Sequence, residues 1–358
     1  MRIAQIAPLA EAVPPKLYGG TERVISWLTE ALVELGHDVT LYASADSETS
    51  ARHVRCAAQG LRLAGINDHV ASLIAMLEQV RRDAGQYDVL HFHVDFLHFP
   101  SFRHLADKCL TTLHGRQDLP DFHPAYRTFP EMKLVSISDD QRRPVPYANF
   151  AGTVHHGLPR NLIPFHPGGG DYLAFLGRIS PEKRPDRAIA IARRAGMKLR
   201  IAAKVDHTDR AYFEDHIEPL LYDPLIEFVG EIGDTEKPAF LGGARALLFP
   251  IDWPEPFGLV MIEAMAAGTP VIAWPCGSTS EVIEHGRSGF IVDSVDEAVA
   301  AVQAAARMPR EGVRAAFEAR FTARRMALDY LRLYEALQGE ERTALFGKTM
   351  VAAGQELG

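Results

Sequence analysis

The sequence predicts an α/β protein built on doubly wound parallel sheets, and three observations carry that expectation. Short apolar runs alternate with amphipathic stretches along the whole chain, which is the pattern of strands crossed over by helices. At 358 residues the chain exceeds what one core usually organises, so two domains are expected. Between His156-Gly157-Leu158-Pro159 and Gly168-Gly169-Gly170 the periodicity stops in a glycine- and proline-rich segment, a linker that divides the chain into 1–160 and 161–320.

Composition narrows the function classes. Hydrophobic residues at 47% and charged residues at 23% are ordinary globular values. A net charge of -8 gives no overall attraction to nucleic acid, so none is expected as a partner. The three cysteines, Cys56, Cys109 and Cys276, form no CxxC pair, which indicates neither a disulfide framework nor a structural zinc site and fits a cytoplasmic protein. The start, MRIAQIAPLAEAVPPK, reads as a first strand and not as a signal peptide. No window approaches the roughly 18–20 apolar residues of a membrane span, which leaves at most peripheral membrane contact.

In the first half, Ile3 to Ala7 reads as a strand and Leu9 to Tyr18 as a proline-containing loop. Gly19-Gly20-Thr21-Glu22 opens a helix whose apolar positions Val24, Ile25, Leu28, Ala31, Leu32 and Leu35 fall at helical spacing; Gly36 closes it and Val39 to Tyr42 is the next strand. The glycine pair lets backbone approach a ligand at a helix N-terminus, a geometry that suits phosphate. G-x-G-x-x-G and its distal acid are absent, so a nicotinamide-dependent oxidoreductase is the weaker alternative. Residues 70–85 form an amphipathic helix and Tyr87 to Phe92 a strand. Strand alternation puts His91 and His93 on one face, with Asp95 and His98 nearby, which raises a metal site against a plain polar cluster. Lys108 to Leu113 is a strand that delivers His114-Gly115 to its carboxyl end, and Leu134 to Ile137 and Gly152 to His155 complete the sheet.

In the second half, Tyr172 to Leu176 is a strand followed by Gly177-Arg178-Ile179-Ser180-Pro181-Glu182-Lys183 and a helix from Pro185. Two cations beside free helix amides suit a diphosphate, which arginine grips bidentately and lysine meets as a point charge. Arg184 and Arg187 read as solvated. Leu199 to Ala203 ends at Lys204, read equally as a donor contact and as an exposed lysine; Ile226 to Val229 is a further strand. Residues 247–277 then give strand Leu247 to Phe249, an exposed proline loop to Glu255, a helix from Phe257 to Ala267 and strand Val271 to Ala273. Loops at the carboxyl ends of parallel strands are where such sheets bind ligands, and Glu255 stands there with Glu263 eight positions on. Asp296 to Met308 and Phe321 to Leu337 read as helices, the latter region carrying Arg320, Arg324, Arg325 and Arg332, either a solvated face or a contact for acidic lipid. The tail from Gly339 reads as partly ordered.

The string E-P-F-G-L-V-x-x-E-A-M-A-x-G-T-P-V at 255–271 resembles the signature of retaining, nucleotide-sugar-dependent glycosyltransferases of family 4, whose two glutamates are separated by seven residues. Gly19-Gly20-Thr21-Glu22-Arg23-Val24, His114-Gly115 and the G-R-x-x-x-x-K of 177–183 resemble that family at the corresponding places, and YDVLHFHVD resembles its His-x-His strand, where no metal is bound. His156 departs from the family's usual asparagine. The resemblance implies the GT-B arrangement, two Rossmann-like domains facing across a cleft, with the C-terminal helix at about 321–338 packing back on the first. It implies that the second domain binds the nucleotide diphosphate-sugar and the first most of a sugar, lipid or small-molecule acceptor. Arg178 and Lys183 would neutralise the leaving diphosphate, helped by the Gly20 amide. Glu255, with the amides of Phe257, Gly258 and Leu259, would position the sugar hydroxyls, Glu263 would hold the ribose, and His114 would orient the sugar. No cofactor and no metal are expected, since a DxD motif is missing; the donor is a UDP-, GDP- or ADP-hexose. A sugar phosphorylase or nucleotide-sugar epimerase on the same fold and a silent sugar-nucleotide binding module are the competing readings.

Overall fold

The computed structural model describes residues 1–16 and 19–355, with side chains described as far as Gly339. The chain forms two compact units: Met1–Ile137 with Arg142–His155 and the segment from Ala323, and Ser138–Gln141 with His156–Thr322.

The first unit holds seven strands: β1 (Arg2–Ile6), β2 (Asp38–Ser44), β3 (Arg52–Ala57), β4 (Val89–Phe92), β5 (Cys109–Thr112), β6 (Lys133–Ser136) and β7 (Phe150–Thr153). They lie in the order β3-β2-β1-β4-β5-β6-β7, and every pairing is parallel. Parallel strands covered on both faces read as unbroken apolar runs. All of β4 and β5 is buried accordingly. β3 is a strand that periodicity did not reveal, as is the three-residue Gly289–Ile291 of the second unit: RHVRCA is half-exposed at the sheet edge, so it has no apolar run.

The second unit repeats the plan with six strands: β8 (Tyr172–Arg178), β9 (Lys198–Lys204), β10 (Ile226–Gly230), β11 (Ala246–Phe249), β12 (Val271–Ala273) and β13 (Gly289–Ile291). Their order is β10-β9-β8-β11-β12-β13, again parallel throughout. In both sheets the order reverses beside the first strand, between β1 and β4 and between β8 and β11. Those reversals leave crevices at the strands' carboxyl ends, where doubly wound sheets bind ligands.

Two helices have other bounds than expected and one helix is additional, each for local reasons. The helix expected from Phe257 spans Leu259–Ala266, because Gly258 at φ +77° caps it from the left-handed region. Arg310–Arg320 is an additional helix, whose polar composition hid the spacing of Val313, Ala316 and Phe317. The last helix runs Ala323–Gln355 and not 321–337; of the tail expected to be partly ordered, residues 356–358 lie outside the described residues. Leu17 and Tyr18 of the first loop lie outside them too.

The expected basic run is largely neutralised within the protein. Arg320 bonds the carbonyls of Val282 and Glu281 and the carboxylate of Glu284, Arg325 pairs with Asp329, and Arg332 pairs with Asp329 as well. No helix among the described residues is long and apolar enough to cross a membrane.

Candidate active site

The second unit gathers most of the predicted residues where its strand order reverses. Arg178 is the last residue of β8, and Lys183 ends the short turn that follows it, Pro181–Lys183. Glu255 comes from the loop after β11, so an ion pair between Lys183 and Glu255 bridges the switch point. That carboxylate also accepts a hydrogen bond from the Trp253 indole at 3.1 Å, while the Lys183 ammonium lies 4.8 Å from the Trp253 ring centroid and 5.8 Å from that of Phe249. A cation held over two aromatic faces and against one carboxylate is fixed in direction. The loop was expected to be exposed, but the Glu255 side chain is only 13% exposed, because Lys183 and the indole fold over it.

Backbone packing sets the Glu255 loop. Gly277, at φ +59°, lies so close that a Cβ there would stand 2.3 Å from the Glu255 carbonyl oxygen, and the Ser278 amide donates to that oxygen at 3.0 Å. Only glycine meets both conditions. Phe257 is buried, and its carbonyl accepts from the Ser278 hydroxyl at 2.7 Å. A Cβ on Gly258 would meet Met261 at 2.9 Å and Phe249 at 3.1 Å. The amides of Gly258 and Leu259 therefore stand at the start of a helix, where no carbonyl four residues back is available to them.

Glu263 lies one turn into that helix, buried, and accepts from the Lys237 ammonium at 3.1 Å. It is therefore not a lone second carboxylate but the buried half of an ion pair. Lys204 ends β9 beside Arg178 in register and pairs with Asp206 at 2.7 Å, its side chain 43% exposed.

Acids around Arg178 are what motif reading missed. The guanidinium bonds Glu182 at 2.6 Å and lies 3.4 Å from Asp209 and 3.7 Å from Asp206. Burial lowers the Arg178 pKa, and Glu182 with the two aspartates outweighs it, leaving the pKa raised. Burial raises that of Asp209 despite the arginine. Arg184 and Arg187, expected to be solvated, both contact Asp252, and Arg187 also donates to the Pro250 carbonyl at 3.0 Å. They tie the β11 loop to the start of the Pro185–Ala195 helix.

The other two predicted residues belong to the first unit. His114 follows β5, is half-buried, and its Nε2 lies 2.8 Å from His93 Nδ1. Burial pushes its pKa down to about 3, so the ring is neutral at neutral pH. Gly20 is the exposed first residue of the helix Gly20–Glu34. The same first turn carries Glu22, a buried acid hydrogen-bonded to its own amide, whose pKa burial raises. A helix start expected to favour phosphate thus already holds a carboxyl group.

The histidines raised as metal ligands are engaged with one another and with neutral groups. His91 and His93 share a face, ring centroids 4.2 Å apart. His91 contacts Tyr334 and Thr112, each at 2.7 Å, and His93 contacts Gln5 and His114, each at 2.8 Å. His98 stacks on Phe92. No group of three or more metal-ligating side chains occurs among the described residues.

Two Rossmann-like units, the second carrying an arginine, a lysine and a loop glutamate around its switch point and another glutamate in the helix that follows, have the architecture of the GT-B fold. Residues 163–319 match the family described as Glycosyl transferases group 1, and residues 18–138 match Glycosyltransferase Family 4. The chain belongs to these glycosyltransferases. It is similar to a phosphatidyl-myo-inositol mannosyltransferase of Mycolicibacterium smegmatis, 25% identical over 386 residues and 95% of each chain. It is also similar to a D-inositol 3-phosphate glycosyltransferase of Nocardioides sp., 32% identical over 142 residues, which is 35% of this chain and 31% of that protein. Among solved structures, AviGT4, a glycosyltransferase involved in avilamycin A biosynthesis, has the same fold, with a TM-score of 0.70 at 23% identity over 95% of this chain and 98% of that one.

Proposed function

We propose that this glycosyltransferase moves a hexose from a UDP-, GDP- or ADP-sugar to an acceptor hydroxyl, with retention at the anomeric carbon and without a metal ion. The observation that carries the reading is the placement of Arg178 and Lys183 after β8 and of Glu255 after β11, on either side of the reversal in strand order.

Breaking a glycosidic bond to a nucleoside diphosphate leaves charge on the departing phosphoryl oxygens, and stabilising it is the chief electrostatic task. Arg178 takes that charge by exchanging its contacts with Glu182 and Asp209 for phosphoryl oxygens. Lys183, aimed by Trp253 and Phe249, adds the second cation and hands Glu255 over to a sugar hydroxyl. The Phe257, Gly258 and Leu259 amides position the sugar, Glu263 holds the ribose, and Lys204 and the Gly20 amide are further donor contacts. His114 is neutral, so it orients the sugar without adding charge. With two cations on the leaving group, attack from its own face is favoured, the acceptor hydroxyl losing its proton to the departing phosphate. Inositol-bearing acceptors are the first to try, given the names of the two relatives.

Thermal-shift screening against UDP-, GDP- and ADP-hexoses, followed by NMR of the product's anomeric configuration, tests the proposal. Stabilisation by one nucleotide series and a retained configuration are expected. An inverted product contradicts it, and release of sugar 1-phosphate without an acceptor points to a phosphorylase instead.

A further inference from the structure

The second unit has another place where positive charge gathers, and there no acid meets it. Arg310 is only 7% exposed, and its guanidinium bonds neutral groups alone among the described residues. Nε donates to the His166 carbonyl at 2.8 Å and Nη1 to the Ala244 carbonyl at 2.9 Å. Nη2 donates to the Thr269 hydroxyl at 2.6 Å and to the Gly242 carbonyl at 2.9 Å, with the Ala267 carbonyl at 3.4 Å. Carbonyl dipoles solvate a cation without cancelling its charge, and burial lowers the Arg310 pKa accordingly. Nη1 has two hydrogens and a single acceptor, which leaves one N–H over.

Arg245 stands beside it at the start of β11, its amide donating to the Tyr172 carbonyl at 2.8 Å and its Nε to the Gly170 carbonyl at 2.9 Å. Neither of its Nη groups has a hydrogen bond or an ion pair among the described residues. A Cβ on Gly169 would stand 3.7 Å from Arg310 Nη1 and 3.9 Å from Arg245 Nε, so the two guanidiniums approach one point. The glycine run expected as a linker makes that approach possible. A Cβ on Gly170 would overlap the Gly243 carbonyl, so glycine alone lets the segment lie against the end of the helix Lys237–Gly242.

Around that point is a pocket of about 360 Å³, within the range of small-molecule sites. Pro167, Met308 and Pro309 give it apolar walls, and the exposed Glu311 is the one carboxylate among its lining residues. It adjoins the amino ends of β8 and β11, whereas Arg178 and Glu255 stand at or after their carboxyl ends. The length of β8, roughly 20 Å, separates the two places.

We propose that this pocket is a second anion site, separate from the diphosphate site, and that it takes a phosphate group. The spare N–H of Arg310 and the Nη groups of Arg245 donate to phosphoryl oxygens, for which arginine is the better suited cation. The volume left beyond one phosphate, with Glu311 able to accept from a hydroxyl, suits a phosphorylated sugar or polyol over the free ion.

Calorimetric titration of the full chain at low ionic strength, with inorganic phosphate, ribose 5-phosphate and ribose as probes, tests this. Arg178→Ala, impaired at the other site, should still bind ribose 5-phosphate and should not bind ribose. Adding Arg245→Gln should weaken that binding at least about tenfold, the scale of a charge-assisted hydrogen bond. The fold should survive, since the Arg245 side chain makes one hydrogen bond. Gly169→Leu, which fills the pocket and keeps both arginines, should weaken binding equally. Tighter binding of ribose 5-phosphate than of inorganic phosphate supports a phosphorylated ligand, and equal binding of the two supports free phosphate in the same site. Absence of binding to Arg178→Ala, or affinity unchanged by both Arg245→Gln and Gly169→Leu, overturns the proposal.

Discussion

The two sheets share one strand order but end in opposite chemistries. At the carboxyl ends of β8, β9 and β11 stand Arg178, Lys183, Lys204, Glu182, Glu255, Asp206 and Asp209, in ion pairs that are partly exposed. Beside β1, β4 and β5 stand Gln5, His91, His93 and His114, in hydrogen bonds that are mostly buried. The strand order supplies a place for ligands in each case, and the residues decide what each place can do. Ion pairs of opposite charge can exchange one anion for another, which suits a leaving diphosphate. Neutral rings locked by amides and phenols cannot stabilise that charge, but they can fix the direction of a hydroxyl.

The largest expected effect falls on the charged side. Arg178→Ala should lower kcat by roughly 10²–10³, the scale for removing a group that meets developing charge. Circular dichroism should be unchanged, since the residue is surface-accessible and Glu182 and Asp206 are acids that water can solvate. Lys183→Ala should cost about 10–100-fold in kcat, because it removes the second cation and leaves Glu255 to Trp253 alone. A kcat unchanged from the wild type in both variants would erase the proposed difference between the two sheets.

The neutral side should declare itself through stability. Burial lowers the pKa of His91, His98 and His114 below the usual 6.5, that of His114 to about 3. Below pH 6.5 the unfolded chain binds protons that the folded one does not, so stability present above that pH is lost as pH falls toward 3. Each such histidine contributes about 1.4 kcal/mol per pH unit, measurable by urea denaturation between pH 7 and 5. Over the same range kcat should show no inflection from His114.

The smallest effect should be at Glu263. Glu263→Gln should raise donor KM by about 3–10-fold with kcat nearly kept, as loss of a ground-state contact does. It should also lower thermal stability, because the half-buried Lys237 ammonium loses the charge of its buried partner. A kcat loss without a KM change would move Glu263 from ribose holding to the reacting centre.

Much of this was legible before the fold was known. Apolar runs located all the central strands, and motif spacing placed Arg178, Lys183 and Glu255 where the strand order reverses. What escaped has physical reasons. β3 is an edge strand with arginines in it, and the Arg310–Arg320 helix is polar, so neither displays an apolar pattern. Asp206 and Asp209 reach Arg178 from the segment after a neighbouring strand, and Lys237 reaches Glu263 from another helix. No spacing rule links residues that meet only through the sheet. His156, a departure from the resembled pattern, is buried with its ring against Phe257, a packing role that sequence position alone does not express. The contacts among Gln5, His93 and His114 join β1 to the residues just past β4 and β5, and no single stretch of sequence contains them.

If the ion pairs after β8 and β11 form the diphosphate site, nucleotide binding depends on them. Calorimetric titration of the full chain with UDP, GDP and ADP, repeated with Arg178→Ala and Lys183→Ala, tests it most directly. The wild type should bind one nucleotide, with binding weakened at least about tenfold in each variant and reduced by added salt. Equal affinity in the wild type and both variants would contradict it.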